Sequence, residues 1–135
     1  MKQHIEVLAT HTLKPYPGNA RVHDPAQIRK LSRSITRFGW MNPVLVNAQL
    51  QVIAGHGRLE AAKFLKLETV PVVRVEHLSP VEERAYRLAD NRLAEDSTWD
   101  TDLLRVELDF LMSAEMSFDV DLTGFSVGEI DATLG

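Results

Sequence analysis

Three apolar residues, Val52-Ile53-Ala54, run directly into Gly55-His56-Gly57, and a helix-forming stretch, Arg58-Leu59-Glu60-Ala61-Ala62, follows without a break. This succession of strand, glycine turn and helix commits the chain to an architecture of sheet plus helices. It is also the usual way to build an anion site. A helix start leaves backbone N–H groups unpaired and carries the positive end of the helix dipole. Glycines let a phosphate approach the backbone, and Arg58 adds a charged donor in the first turn. A tight turn with a solvated arginine accounts equally well for this segment taken alone.

The flanks supply context. Asn42-Pro43-Val44-Leu45-Val46 precedes the turn and Val70-Pro71-Val72-Val73-Arg74-Val75 follows the helix. Strands are expected at 4–8, 43–47, 51–53 and 70–75, the middle two forming a hairpin across Ala48-Gln49-Leu50. Pro15, Pro17, Gly18 and Asn19 mark a loop. Asp24 is a good N-cap and Pro25 suits the first helical position, so a helix opens there and closes at Gly39. Within it Ile28, Leu31, Ile35 and Phe38 recur at helical spacing and predict a buried stripe, while Arg29, Arg33 and Arg37 face away. Further helices are expected at 58–67 and from Pro80 to about Asp96, the latter opened by the capping box Ser79-Pro80-Val81-Glu82. Another runs from Thr98 or Asp100 to about Met116, with a wide apolar face at Leu103, Leu104, Leu108, Leu111 and Met112 that suits a core or a partner. A second capping box, Ser126-Val127-Gly128-Glu129, opens the last helix.

The chain has no cysteine, which excludes disulfides, thiol catalysis and Cys-based metal sites. The histidines at 4, 11, 23, 56 and 77 show no metal-ligand spacing. No apolar run approaches the ~18 residues of a membrane helix, and the N-terminus lacks a signal core, so no membrane partner and a cytoplasmic location are expected. The net charge of −4 hides a division. Residues 1–92 hold 14 Lys+Arg against 8 Asp+Glu, and residues 93–135 hold 1 against 11. A basic body with an acidic rear suits a polyanion-facing domain with an acidic appendage, or two solvated faces of opposite sign. The boundary falls near residue 95. It is expected to separate a domain at 1–95 from an acidic helical extension at 96–135 that packs on it.

Several motifs, in order, carry a resemblance: Pro17-Gly18-Asn19-Ala20-Arg21, Ser34-Ile35 with Gly39, Asn42-Pro43-Val44-Leu45-Val46, the segment 55–62, Ala89-Asp90-Asn91-Arg92, Trp99-Asp100 and Thr123-Gly124-Phe125. Together they resemble the ParB/sulfiredoxin superfamily, in particular the ParB-like N-terminal (ParB-like nuclease) domains that accompany DNA methyltransferases in phages and mobile elements. The resemblance implies an α+β fold, a small mixed sheet with flanking helices, followed by a helical C-terminal segment. It excludes sulfiredoxin's own chemistry, because His56 stands where that enzyme needs a cysteine.

For the site, the resemblance implies a phosphate cradle of Gly55, His56, Gly57 and Arg58. The ParB motif there reads Gly-Glu-Arg-Arg-x-Arg-Ala, and Gly55, Arg58 and Ala61 match it. Asn19 and Arg21 would face the cradle from the opposite loop. Asp90 and Asn91, similar to a Glu-Asn motif, would hold Mg²⁺ on the nucleotide, CTP or ATP. Arg29, Arg33 and Arg37 would face DNA, weakly and without sequence preference. No helix-turn-helix module with a basic recognition helix is expected to follow. Two other functions stay open. One is phosphoryl transfer by an NTPase, nuclease or small-molecule kinase, with Glu60 or Glu83 as general base. The other is an interaction module with a vestigial nucleotide site. A homodimer and a methyltransferase partner or fused domain also follow from the resemblance.

Overall fold

The computed structural model describes residues 4–19, 24–113 and 120–134. They fall into two compact units, residues 1–95 and 96–135. In the first unit the order is β1 (Ile5–Ala9), a 3-10 turn (Thr10–Thr12), α1 (Pro25–Phe38), β2 (Val44–Val46), β3 (Val52–Ala54), α2 (His56–Phe64), β4 (Thr69–Arg74) and α3 (Pro80–Glu95). The second holds α4 (Thr101–Ser113), a 3-10 turn (Val120–Thr123) and α5 (Val127–Leu134).

The four strands form one mixed sheet in the order β1-β4-β2-β3. β1 and β4 are antiparallel, β2 and β4 parallel, and β2 and β3 antiparallel. The β2–β3 hairpin turns through Leu50 at φ +64°, held by Asn47, whose Oδ1 accepts the backbone N–H groups of Gln49 and Gln51. A parallel β2–β4 pair needs a crossover, and α2 supplies it. The core is dominated by valine: Val44, Val46, Val52, Val70 and Val72 are fully buried with Leu13, Leu59 and Ala62. β-branched side chains pack well on a pleated surface, which is why these short runs become strands.

The expected helices are present, with shifted ends. α1 begins as the sequence dictates: Asp24 Oδ1 accepts the Gln27 N–H at 2.7 Å, and Gly39 closes the helix at φ +86°. Its expected buried stripe is corrected. Ile28, Leu31 and Ile35 are half-buried and Phe38 is 43% exposed, whereas Ser32 is buried and donates to the Ile28 carbonyl. α1 packs on the short helix α2, which covers a narrow strip of it. α2 starts two residues early, at His56, because Gly55 alone makes the turn. It ends at Phe64, where Lys66 adopts φ +59° and the Leu67 N–H reaches back to the Ala62 carbonyl. That is the hydrogen bond of a left-handed helix terminus built without glycine.

α3 has its capping box in place: Ser79 Oγ accepts the Glu82 N–H, and the Glu82 carboxylate accepts the Ser79 N–H. These bonds hold Glu82 below the usual carboxylate range. Ser126 and Glu129 make the same exchange at α5. In the second unit Leu108 and Ile130 are buried, with Leu104, Leu111 and Phe125 packed against them. The wide apolar face expected on α4 is therefore divided, since Leu103 and Met112 are exposed. Among the described residues no helix is long and apolar enough to cross a membrane.

Two outcomes test this packing. Leu59→Ala removes a fully buried side chain from the core and is expected to cost about 2–5 kcal/mol in urea unfolding. A loss below about 1 kcal/mol would mean that α2 is not docked on the sheet. Because the Glu82 carboxylate is held low, the cap is complete above the ordinary glutamate range and is lost as pH falls through the lowered folded value. Amide exchange in the first turn of α3 should rise selectively on acidification in that window, and Glu82→Gln should remove the selectivity.

Candidate functional site

Gly55 is the last residue before α2 and its backbone is left-handed, φ +99° and ψ +23°. A Cβ there would lie 3.3 Å from the Val44 Cα and 3.4–3.5 Å from its methyl groups. Both the sign of φ and the closeness of β2 therefore call for glycine. No side chain caps α2, so its first backbone N–H groups are left for a ligand or solvent. Gly57 has a different role from the one expected. It lies inside the first helical turn, buried, and is not among the positive-φ glycines.

Beside this helix start is a cleft of about 180 Å³ lined by Asn19, Gln27, Leu31, the segment 53–58, Asp90 and Asn91. It brings together the residues expected of a phosphate and metal site from three separate stretches of chain. Arg58 is half-buried on its wall, and no hydrogen bond or ion pair to its guanidinium is made by the described residues. Asp90 is exposed on α3, and Tyr86, one turn before it, hydrogen-bonds to its carboxylate. Partial burial, followed by the Asp90 charge and that hydrogen bond, pushes the Tyr86 phenol up. Asn91 donates its amide N–H to the Arg87 carbonyl at 2.9 Å, which leaves its amide oxygen as an acceptor. Among the described residues no cluster of three or more His, Asp or Glu side chains forms a metal cage. One carboxylate and one amide oxygen are hard donors, and they suit Mg²⁺ that keeps most of its ligands as water and phosphate.

His56 is more constrained than a free phosphate donor. Its Nε2 accepts the Tyr16 backbone N–H at 3.2 Å, which ties the loop after β1 to the start of α2. Arg21 lies outside the described residues. The two candidate general bases do not line the cleft. Glu60 is on the exposed side of α2, 3.6 Å from Lys63. Glu83 accepts from Asn47 Nδ2 at 2.9 Å and lies 3.7 Å from the Arg87 guanidinium. The helix turns Arg87 inward toward β3, which sets its guanidinium beside Glu83. Arg29, Arg33 and Arg37 are exposed on α1, as expected of a row facing away from the stripe.

Sequence reasoning missed three residues that shape the site. Gln27 enters the cleft from the third position of α1, and a polar residue at that place looks like ordinary helix surface. Tyr16 and Arg87 stack, with the Arg87 Cζ 3.7 Å from the Tyr16 ring centroid. Nothing in their spacing shows this, since they are 71 positions apart in the chain.

Residues 1–92 match the model of the ParB N-terminal domain, and residues 102–135 match that of the ParB-methyltransferase HTH domain. The second match corrects the expectation that no helix-turn-helix module follows. That expectation was tied to a basic recognition helix, and residues 96–135 hold a single basic residue, Arg105. The chain is 51% identical over 61 residues to the ParB-like nuclease domain-containing protein YnaK of Escherichia coli, covering 45% of this chain and 70% of YnaK. It is 32% identical over 96 residues to stage 0 sporulation protein J of Bacillus subtilis, covering 68% of this chain and 34% of that protein. It thus spans about a third of the length of this larger relative.

Among solved structures, the C-terminally truncated chromosome-partitioning protein ParB of Caulobacter crescentus, complexed with CTP-gamma-S, matches with a TM-score of 0.79 at 21% identity. That match covers 97% of this chain and 77% of the other. The same protein complexed to the centromeric parS site matches with a TM-score of 0.56 at 20% identity, over 96% and 70% of the two chains. At such identities the likeness establishes the fold. With a family model spanning residues 1–92, on a mixed sheet whose glycine turn opens the cleft, the chain belongs to the ParB N-terminal domain family.

Proposed function

We propose that the first unit is a nucleoside-triphosphate-binding module, with CTP as the preferred ligand and Mg²⁺ as its counterion. One observation carries the reading: a single cleft is lined by the start of α2, Arg58, Asn19, Asp90 and Asn91. The α2 amides and the Arg58 guanidinium would meet the phosphates as charge-assisted donors. Asp90 and the amide oxygen of Asn91 would take the cation, which neutralises phosphate charge. At about 180 Å³ the cleft is smaller than the ~300–1,000 Å³ usual for whole small-molecule sites. It suits the phosphates and their ion, with the sugar and base extending past its mouth. The CTP analogue on a protein of the same fold favours CTP over ATP. The reading is of binding rather than turnover, since Glu60 and Glu83 are engaged outside the cleft.

Charge decides where this protein would meet DNA. Residues 96–135 carry ten acidic residues against Arg105, and Arg105 donates its Nε–H to the Thr133 carbonyl. A surface of that sign is repelled by phosphates, whatever its helical arrangement. The exposed row Arg29, Arg33 and Arg37 on α1 is the better candidate, and it would bind weakly and without sequence preference. The match of residues 102–135 to a methyltransferase-associated module supports service to DNA modification machinery, with sequence choice supplied by a partner.

Calorimetric titration of the protein with CTP and ATP, with and without Mg²⁺, tests the nucleotide reading. Arg58→Ala is expected to weaken CTP at least tenfold, since a hydrogen bond to a charged partner contributes about 1.5–3 kcal/mol. Unchanged affinity in a folded variant would sink the assignment. Asp90→Ala should abolish most of the gain that Mg²⁺ gives and leave metal-free binding nearly unaltered. For DNA, a salt series on unrelated duplexes should give a slope of about −2 to −3 in log K against log salt, as three phosphate contacts require. Arg33→Ala should make that slope shallower by about one, and no binding at low salt would remove the direct DNA role.

A further inference from the structure

Arg87 is 5% exposed on a helix whose apolar residues Val81, Leu88 and Leu93 are 61–76% exposed. An arginine buried in place of these side chains loses hydration that its contacts must replace. Its Nε and Nη2 both donate to the Val52 carbonyl, at 3.2 and 3.1 Å. Val52 begins β3, the strand that ends at Gly55 and the start of α2. The Arg87 guanidinium carbon lies over the Tyr16 ring, 3.7 Å from its centroid. The other end of that ring is packed against Gly18, where a Cβ would be 2.8 Å from the ring. Gly18 directly precedes Asn19, which lines the cleft, and the Tyr16 N–H donates to His56 Nε2. Finally, the Arg87 carbonyl accepts the amide N–H of Asn91. Glu83 and Asn47 complete the surroundings of the guanidinium from α3 and the β2–β3 hairpin.

We propose that Arg87 is the positioning residue of the cleft: it does not line the cavity, but its guanidinium joins β3 to the Tyr16–Asn19 loop in one rigid frame beside it. This rests on the nucleotide reading above for what the frame holds. A lysine keeps the charge beside Glu83 but has neither the planar face for Tyr16 nor the paired donors for Val52. The frame should therefore fail by loosening, with the loop drifting from His56 and Asn19 leaving the cleft. Sites of this kind lose function through small displacements of the first contacts.

The test uses Arg87→Lys and Tyr16→Leu in the full chain. Neither removes a cleft-lining side chain, and both keep the backbone N–H of residue 16. The ¹⁵N resonance of His56 Nε2 is read in the ligand-free protein, and affinity for CTP with Mg²⁺ is read by calorimetry. Both variants are expected to shift the resonance away from its hydrogen-bonded position and to weaken CTP at least tenfold while remaining folded by near-UV circular dichroism. A folded variant that melts earlier yet keeps both the resonance and the affinity shows a purely structural arginine, and overturns the proposal. Should Arg87→Lys fail to fold, Tyr16→Leu decides, because Tyr16 is half-buried and its loss leaves the Arg87–Glu83–Val52 contacts in place. If the unmodified protein fails to bind CTP, the nucleotide reading falls, while the His56 resonance in the variants still decides whether Arg87 holds the loop.

Discussion

Everything around the cleft depends on the left-handed backbone at Gly55. An L-residue with a side chain pays a steric cost at φ +99°, and here its Cβ would also press on the backbone of β2. Glycine lets β3 end and α2 begin within one residue. The helix start therefore sits at the edge of the sheet, beside the cleft. The core follows from the same turn. α2 leaves Gly55 with Leu59 and Ala62 packed among the valines of the sheet, and it carries the chain across so that β4 can pair in parallel with β2.

A second layer of organisation is polar. Asn47, Glu83, Arg87 and the Val52 carbonyl form a connected buried set, and among the described residues no buried side-chain polar atom is left without a hydrogen bond. Such a set adds less stability than apolar packing of equal volume, because every member must be desolvated. What it supplies is direction. Planar donors and acceptors fix angles that methyl groups leave free, and the loop carrying Asn19 has no strand or helix of its own to hold it. Glu83, one of the two candidate general bases, is occupied in this way.

The charge division sets the two units apart. The basic surface lies on α1 in the family-matched first unit, while the helical second unit is acidic despite its match to an HTH model. On the proposed reading, a ligand with many phosphates would be drawn to the first and repelled by the second. Helical arrangement and DNA affinity are thus separate properties, and the residues on the helices decide the latter.

Local signals in the sequence were enough for most of the elements. Capping boxes at Ser79 and Ser126, Asp24-Pro25 at α1, valine runs for the strands and the glycine turn at Gly55 all act over a few residues, and all are in place. The residues lining the cleft were also legible in large part, because Gly55, Arg58, Asp90 and Asn91 follow a recognisable motif order. Tertiary structure decided what local signals cannot carry. It ended α2 at Phe64, left Phe38 and Leu103 exposed, and turned Glu60 away from the cleft while enclosing Glu83. It also buried Arg87 against Tyr16, 71 positions away in the chain. Each of these depends on which surface arrives from elsewhere in the chain, and a helix has no means of stating in its own sequence which of its faces that surface will cover.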